Sequence, residues 1–402
     1  MHREKWERMA ILAVCLGWGV AEAQIDTTKR DLIEGGYNFP FEGKSPLSGY
    51  GYYYRNQPNF LQTNLTLRLA IGPTYADSEL GIAQALGPQT DLGLNLSGGG
   101  YRDDYDEIRV GHYYREESFE GFRGQAGFGI YHLFNPGAKV PLYGVVQTSA
   151  RFVSYSESTY TATNFVEPKH RGIFTVRTGL RYGGRPPVLF PSQAMELSVW
   201  YEGYIRTDPE TYGFDGDRKI NAHTHLFWAN AHLAYHLTKW KHPFSVNFTG
   251  GTSVDADRLS AWRLGGVLPP ASEYPLWIPG YYYQEISAKN FFQAGGNYTI
   301  PLTENKRWNL HAMAATAYVS YLPGFEQQGH WNSGVGGGLY YNSKVWRVLM
   351  DYGYGIDAIR TSGRGAHSVI ILLQMDLAPA KEAYYSAEPP GFWRGLRRVV
   401  TD

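Results

Sequence analysis

Cysteine is almost missing from this sequence: Cys15 is its one occurrence in 402 residues. It falls in an N-terminal stretch expected to be removed, so the mature chain has no disulfide, no thiolate metal site and no cysteine nucleophile. A charge of one sign is missing too. The 37 Lys and Arg balance 37 Asp and Glu, which leaves no basic footprint for nucleic acid. Long apolar runs are the third absence. After the N-terminus nothing approaches the ~18 residues of a spanning helix. Two classes remain, a soluble exported β-protein and a closed barrel. The barrel is the one β-architecture that satisfies every backbone polar group in lipid.

The first residues carry an export address. Arg3, Lys5 and Arg8 form a basic start, Met9 to Val20 a short apolar stretch, and Ala21-Glu22-Ala23 an A-x-A cleavage pattern. This is the layout of a secretory signal peptide over residues 1–23, with Gln24 as the mature N-terminus. The apolar stretch is well short of the ~20 residues that an anchoring helix needs. Val14 stands before Cys15 where lipidation wants a small residue.

Glycine and aromatics are abundant: 47 Gly, 32 Tyr, 19 Phe and 11 Trp, against 6 Met. Aromatics suit interface girdles, and glycine suits tight turns and closely packed barrel walls. The strongest signal is alternation of period two, in segments of about ten residues separated by turn chemistry. Leu65, Leu67, Leu69 and Ile71 share one face, as do Leu92, Leu94 and Leu96. Phe174, Val176, Thr178, Leu180 and Tyr182 oppose Thr175, Arg177, Gly179 and Arg181; Leu197, Val199 and Tyr201 oppose Glu196, Ser198, Trp200 and Glu202. Val348, Met350, Tyr352 and Tyr354 repeat the pattern. A soluble sandwich also alternates, but charges of both signs on the second face of neighbouring segments fit a watery lumen. Arg177, Arg181, Glu196 and Glu202 are therefore read as lumen charges that pair across strands. The last segment is the exception: Val369, Ile371, Leu373, Met375 and Leu377 face away from Ser368, Gln374 and Asp376, but also from Ile370 and Leu372.

These segments predict an all-β fold, a single transmembrane antiparallel β-barrel over residues 48–377. Between 12 and 16 strands are expected, 16 being favoured, with an inward-folded loop. A short periplasmic segment (24–47) would precede the barrel, and a periplasmic tail (378–402) with Pro379, Pro389, Pro390 and Trp393 would follow it. Arg109–Glu116 is among the strand candidates, and Gly184–Pro187 reads as a turn. Residues 156–171, 206–221 and 255–283 read as longer loops on the outer face.

Residues 262–286 read WRLGGVLPPASEYPLWIPGYYYQEI. A loop this apolar is expected to pack inside the lumen. Leu264-Gly265-Gly266 followed by Ile278-Pro279-Gly280-Tyr281 resembles the barrel portion of the BamA/TamA outer-membrane assembly family. There a strand ends in an LGG-like element and a long inward loop carries a V-R-G-F/Y motif. Tyr298–Leu302, Gly334–Leu339, Arg347–Ile356 and the last segment resemble the strands that follow, so the likeness spans about residues 258–377. It implies 16 strands and an outer-membrane location, with outer-membrane lipid and lipopolysaccharide as surroundings. Pro279 replaces the motif's arginine, which in that family reaches an acidic partner inside the barrel. No periplasmic repeats fit ahead of residue 48.

The function expected from this is a porin-like pore or translocation barrel in the bacterial outer membrane, restricted by the Gly265–Tyr283 loop, alone or with a separately encoded periplasmic partner protein. The rivals are an assembly or insertion factor, a lipid-modifying barrel enzyme and a barrel that only anchors surface loops. No catalytic residue, cofactor or metal is assigned. Ser198, Ser245, His311 and Ser320 select no triad. His223, His225, His232 and His236 lack a completing carboxylate. The acidic groups Asp103, Asp104, Asp106, Glu107 and Asp208, Glu210, Asp215, Asp217 lack calcium-loop spacing and read as solvated loop tips.

Overall fold

The computed structural model describes residues 25–100, 103–191, 193–237 and 242–378. The expected signal peptide and nearly all of the expected tail lie outside these residues. Sixteen antiparallel strands close into one barrel: β1 Arg30–Pro40, β2 Gly49–Pro58, β3 Leu65–Ile71, β4 Tyr75–Ile82, β5 Thr90–Gly99, β6 His112–Leu133, β7 Leu142–Glu157 and β8 Arg171–Gly184. Then follow β9 Ala194–Arg206, β10 His223–His236, β11 Pro243–Val254, β12 Ile286–Pro301, β13 Trp308–Tyr321, β14 Trp331–Asn342, β15 Trp346–Arg360 and β16 Gly363–Asp376. Each barrel strand pairs with its sequence neighbours, and β1 closes the ring on β16 from Leu32↔Asp376 to Pro40↔Ser368.

The alternation becomes two surfaces. On β9, Leu197, Val199 and Ile205 are about half exposed on the outside, while Glu196, Ser198 and Trp200 are buried inside. Phe128, Phe152, Phe174, Phe227, Phe248 and Phe292 continue the outer surface around the barrel. An apolar outside of this kind is the face that meets lipid hydrocarbon. Val199 sits near the middle of its strand. Val199→Arg is expected to cost ~2–4 kcal/mol, read as a lower urea midpoint on unfolding from lipid vesicles. Gln147→Arg, on the lumen side of β7, should change the midpoint little.

Three expectations need correction. Residues 24–47 are not a segment ahead of the barrel, because β1 occupies 30–40 and forms the closing seam. Its outward Ile33, Tyr37 and Phe39 alternate with Leu32, Glu34 and Asn38, but Gly35-Gly36 blanks the middle of the pattern. Arg109–Glu116 is not one strand. Val110 and Gly111 turn at positive φ between a short strand, Tyr105–Arg109, and β6. The Gly184–Pro187 turn is also longer than expected. Residues 185–191 reach into the lumen, where Leu189 is buried.

Both ends of the described chain lie at the end of the barrel where the short turns are; the longer loops lie at the other. Above β6–β11 these loops build a dome. Its core is Tyr105, Phe119, Phe165, Tyr212 and Ile220. Glu107 is fully buried there, facing Arg258, Arg218 3.6 Å away and Arg109 3.3 Å away, with the Tyr105 hydroxyl donating at 2.5 Å. Asp103 pairs with Arg123. These acids hold the dome together instead of lying solvated at loop tips.

Candidate functional site: the loop inside the lumen

The inner faces of β12–β16 carry an apolar stretch where a water-filled barrel would be polar throughout, with polar groups such as the buried His311–Asp351 pair beside it. Ile286, Ala288, Phe291, Met313, Ala315, Ala317, Val319, Leu349, Ile370 and Leu372 are all buried and all point inward. Apolar surface left in lumen water is unfavourable, so this wall has to be covered. The long loop between β11 and β12 covers it. Leu264, Val267, Leu268, Trp277, Ile278 and Tyr281 are buried against it, and Leu189 of the opposite turn joins the same cluster. Ile370 and Leu372, the exceptions to alternation in the last segment, are floor for this loop.

The loop's path follows from its glycines. Trp262–Leu264 forms a short strand that pairs with the start of β12. Gly265 and Gly266 then take φ of 125° and 61°, a region that side chains rarely adopt. The Gly265 N–H donates to the Leu276 carbonyl at 2.9 Å, and Gly266 bridges Ile278, so the loop folds back on itself. At its tip Gly280 has φ 82°, and a Cβ there would run into the backbone of Gly355. A Cβ at Gly334 would likewise run into the Pro279 carbonyl. Gly334, Gly353 and Gly355 thus form a smooth track on β14 and β15 that lets the tip approach the wall.

A buried ion pair pins the base. Arg360 Nη1 lies 2.7 Å from Glu285 Oε1, and Nη2 lies 2.9 Å from Oε2, a two-pronged geometry. The guanidinium covers the Tyr282 ring at 3.8 Å, and Glu285 Oε2 also accepts the Tyr282 N–H at 2.7 Å. Arg360 points inward because of a bulge. On β15, Leu349, Asp351, Gly353 and Gly355 face the lumen; the register then shifts, and Ala358 and Arg360 face it instead. A bulge of this kind re-aims the side chains that follow it. The sequence has Pro279 where the resembling motif has arginine. Here the cation comes from the wall and the acid from the loop, so the polarity of the pin is reversed.

The four expected lumen charges pair in part as expected. Arg181 Nε lies 3.4 Å from Glu196 Oε1, but both Arg177 and Arg181 bind Glu273 of the loop, Arg177 at 3.0 Å. The two guanidinium groups hold the Glu273 carboxyl below the usual carboxylate range. Glu202 accepts from Tyr204 at 2.5 Å. Arg177, Arg181 and Glu273 therefore tie the loop to β8 across the lumen. Sequence reasoning missed Glu273, Glu285, Arg360 and Leu189. The usable signal was two lone acids in an otherwise apolar loop.

Beside the plug lies a cavity of about 960 Å³. It is lined mainly by β2–β9, with Arg30 of β1, Ala234 of β10, Arg347 of β15 and Glu273 of the loop, and runs from Arg123 and Arg151 near the dome to Ile25, Asp26 and residues 183–188 at the turn end. The lumen is thus divided lengthwise into a dry side that the loop fills and a polar side that stays open. Among the described residues no group of three His, Asp or Glu side chains is placed to hold a metal ion.

No family model matches the sequence, and no curated protein is similar enough to match it. Solved structures are similar in fold. CdiB from Acinetobacter baumannii aligns with a TM-score of 0.58 at 10% identity, over 87% of this chain and 60% of that one. CdiB from Escherichia coli gives 0.54 at 11% identity, over 85% and 63%. BamA from Haemophilus ducreyi lacking POTRA domains 1-3 gives 0.53 at 12% identity, over 87% and 71%. The chain spans less than two thirds of the length of either CdiB structure. At such identities what is shared is the barrel fold.

Proposed function

We propose that this chain is a bacterial outer-membrane translocation barrel, gated by the loop between β11 and β12. One observation carries the reading: an apolar loop pinned inside the barrel by Glu285–Arg360 and Glu273, beside a polar cavity that reaches the turn end. A loop that only shaped the surface would not need an apolar wall, a glycine track and two ionic ties in the lumen. The fold likeness to BamA and CdiB supports an outer-membrane setting, amid lipid and lipopolysaccharide. A separately encoded periplasmic partner would dock at the turn end.

An insertion role is the weaker reading, because an insertase needs a seam that opens easily. Here β1 and β16 stay in register over nine pairs, including the outward Tyr37↔Ile371 and Phe39↔Val369. The reading assigns no catalytic role.

Planar-bilayer recording tests the gate. The full chain is expected to be closed for most of the time, and the form with residues 265–283 replaced by a short glycine-serine turn to give steady open-channel currents. Absence of current from both forms would sink the proposal. An unaltered outer-membrane protein census after depletion would count against the insertion role.

A further inference from the structure

We infer that the polar half of the lumen holds a binding site for an oxyanion, centred on Arg151. The inference does not depend on whether the barrel conducts.

The cavity is lined by eight arginines, at 30, 68, 123, 151, 177, 181, 185 and 347, and by five carboxylates, at 26, 77, 79, 202 and 273. Most of these arginines are accounted for. Arg30 binds Asp26, Arg68 binds Asp77 and Glu79, Arg123 binds Asp103, and Arg177 and Arg181 share Glu273. Arg347 donates to the Leu189 carbonyl and to Gln374. Two remain: neither Arg151 nor Arg185 forms an ion pair with a carboxylate among the described residues.

Arg151 is the better placed of the two. On β7 it stands directly opposite Gln125 of β6 and, on the other side, opposite Ile173 of β8, one inward position from Thr175. The Tyr204 ring lies 5.1 Å from its guanidinium, which fixes the side chain without neutralising it. Arg151 Nε, Thr175 Oγ1 and Arg177 Nε are buried polar atoms with no protein partner. The Arg151 guanidinium lines the cavity and makes no hydrogen bond or ion pair among the described residues, and these shielded, unpartnered donors lie beside it on adjacent strands; with a small shift of side chains they form a receptor for acceptor-only oxygens. A guanidinium fork is matched to carboxylate or phosphate geometry. A cation would meet an arginine excess here, and an apolar solute would leave the donors unsatisfied. The next inward residue of β7 toward the dome, Val153, is fully buried in the dome core, so the proposed route for the anion is from the turn end, past Arg185.

The test uses the folded full chain in detergent micelles, titrated with inorganic phosphate in a calorimeter at constant ionic strength, with chloride as the background anion. The expected result is saturable binding of about one phosphate per chain. Arg151→Gln is expected to weaken it at least tenfold while leaving the heat-modifiable folded band on gels unchanged. Arg55→Gln, an exposed arginine on the outside of β2, should leave the affinity unchanged. Saturable binding of succinate that phosphate displaces would extend the site to carboxylates; binding of phosphate alone would restrict it to phosphoryl oxyanions. Absence of saturable binding to the wild-type chain, or equal affinity in the Arg151→Gln variant, would overturn the inference. A folded, binding-competent Arg185→Gln variant with slower uptake of phosphate would support entry past Arg185.

Discussion

Arg360→Ala is expected to lower the stability of the folded barrel by about 3–5 kcal/mol, the usual cost of leaving a buried charge without its partner. The reason is local. Glu285 sits in the same apolar setting as Ile286 and Tyr281, and the guanidinium is its only ionic partner among the described residues. The loss should appear as a lower urea midpoint in lipid vesicles and as new protease cleavage between residues 266 and 284. Arg360→Met combined with Glu285→Gln removes both charges and keeps an acceptor for the Tyr282 N–H. It should recover most of the lost stability, because the penalty lies in the orphaned charge and not in the missing attraction. A single variant as stable as the wild type, with its loop still protected, would show that the apolar contacts alone hold the plug.

Gly280→Val should unseat the tip of the loop altogether. Two costs act together. A β-branched residue at φ 82° pays for a backbone region that suits glycine, of order 1–3 kcal/mol. Its Cβ would also occupy the place of the Gly355 backbone, which belongs to a paired strand and cannot retreat. The sheet is expected to win and the tip to move. Single-channel recordings should then show frequent openings in a barrel whose strands remain intact by circular dichroism. The wild type and Gly87→Val, a change where a Cβ meets nothing although the backbone is also at positive φ, serve as references. Closed channels in Gly280→Val would mean that the tip does not occlude the lumen.

Much of the barrel was legible because its outer face obeys one rule throughout: alternate residues meet lipid and are apolar. Leu92-Leu94-Leu96 and Leu197-Val199 announce their strands for that reason. The inner face obeys no such rule, and the misreadings gather there. The first strand was hidden because Gly35-Gly36 removes two side chains from the count. Ile370 and Leu372 looked irregular because their partner, the loop, is distant in sequence. The loop's apolar character and its glycines were visible, so Leu264, Gly265, Gly266, Ile278, Pro279, Gly280 and Tyr281 could be picked out together. What holds it was not visible. Arg360 faces the lumen only because of a bulge in β15, and a period-two reading carried through Tyr352 and Tyr354 assigns it to the lipid side. Arg177 and Arg181 were recognised as interior, and Arg181 does pair with Glu196 across adjacent strands, but Glu273, which both arginines bind, arrives from a loop about ninety residues away.

The lengthwise division of the lumen also changes what barrel size means for this protein. In an open pore the number of strands sets the bore. Here about a third of the circumference, β12 to β16, is committed mainly to carrying the plug, and most of the water-filled space is bordered by the other staves. Permeability and mechanical strength are thereby assigned to different parts of the ring. Substitutions on β4–β7, away from the Arg177 and Arg181 ties to the loop, can retune which solutes are tolerated without touching the loop's seat, and the Glu285–Arg360 end of the seat can stiffen or loosen without altering the solute's surroundings.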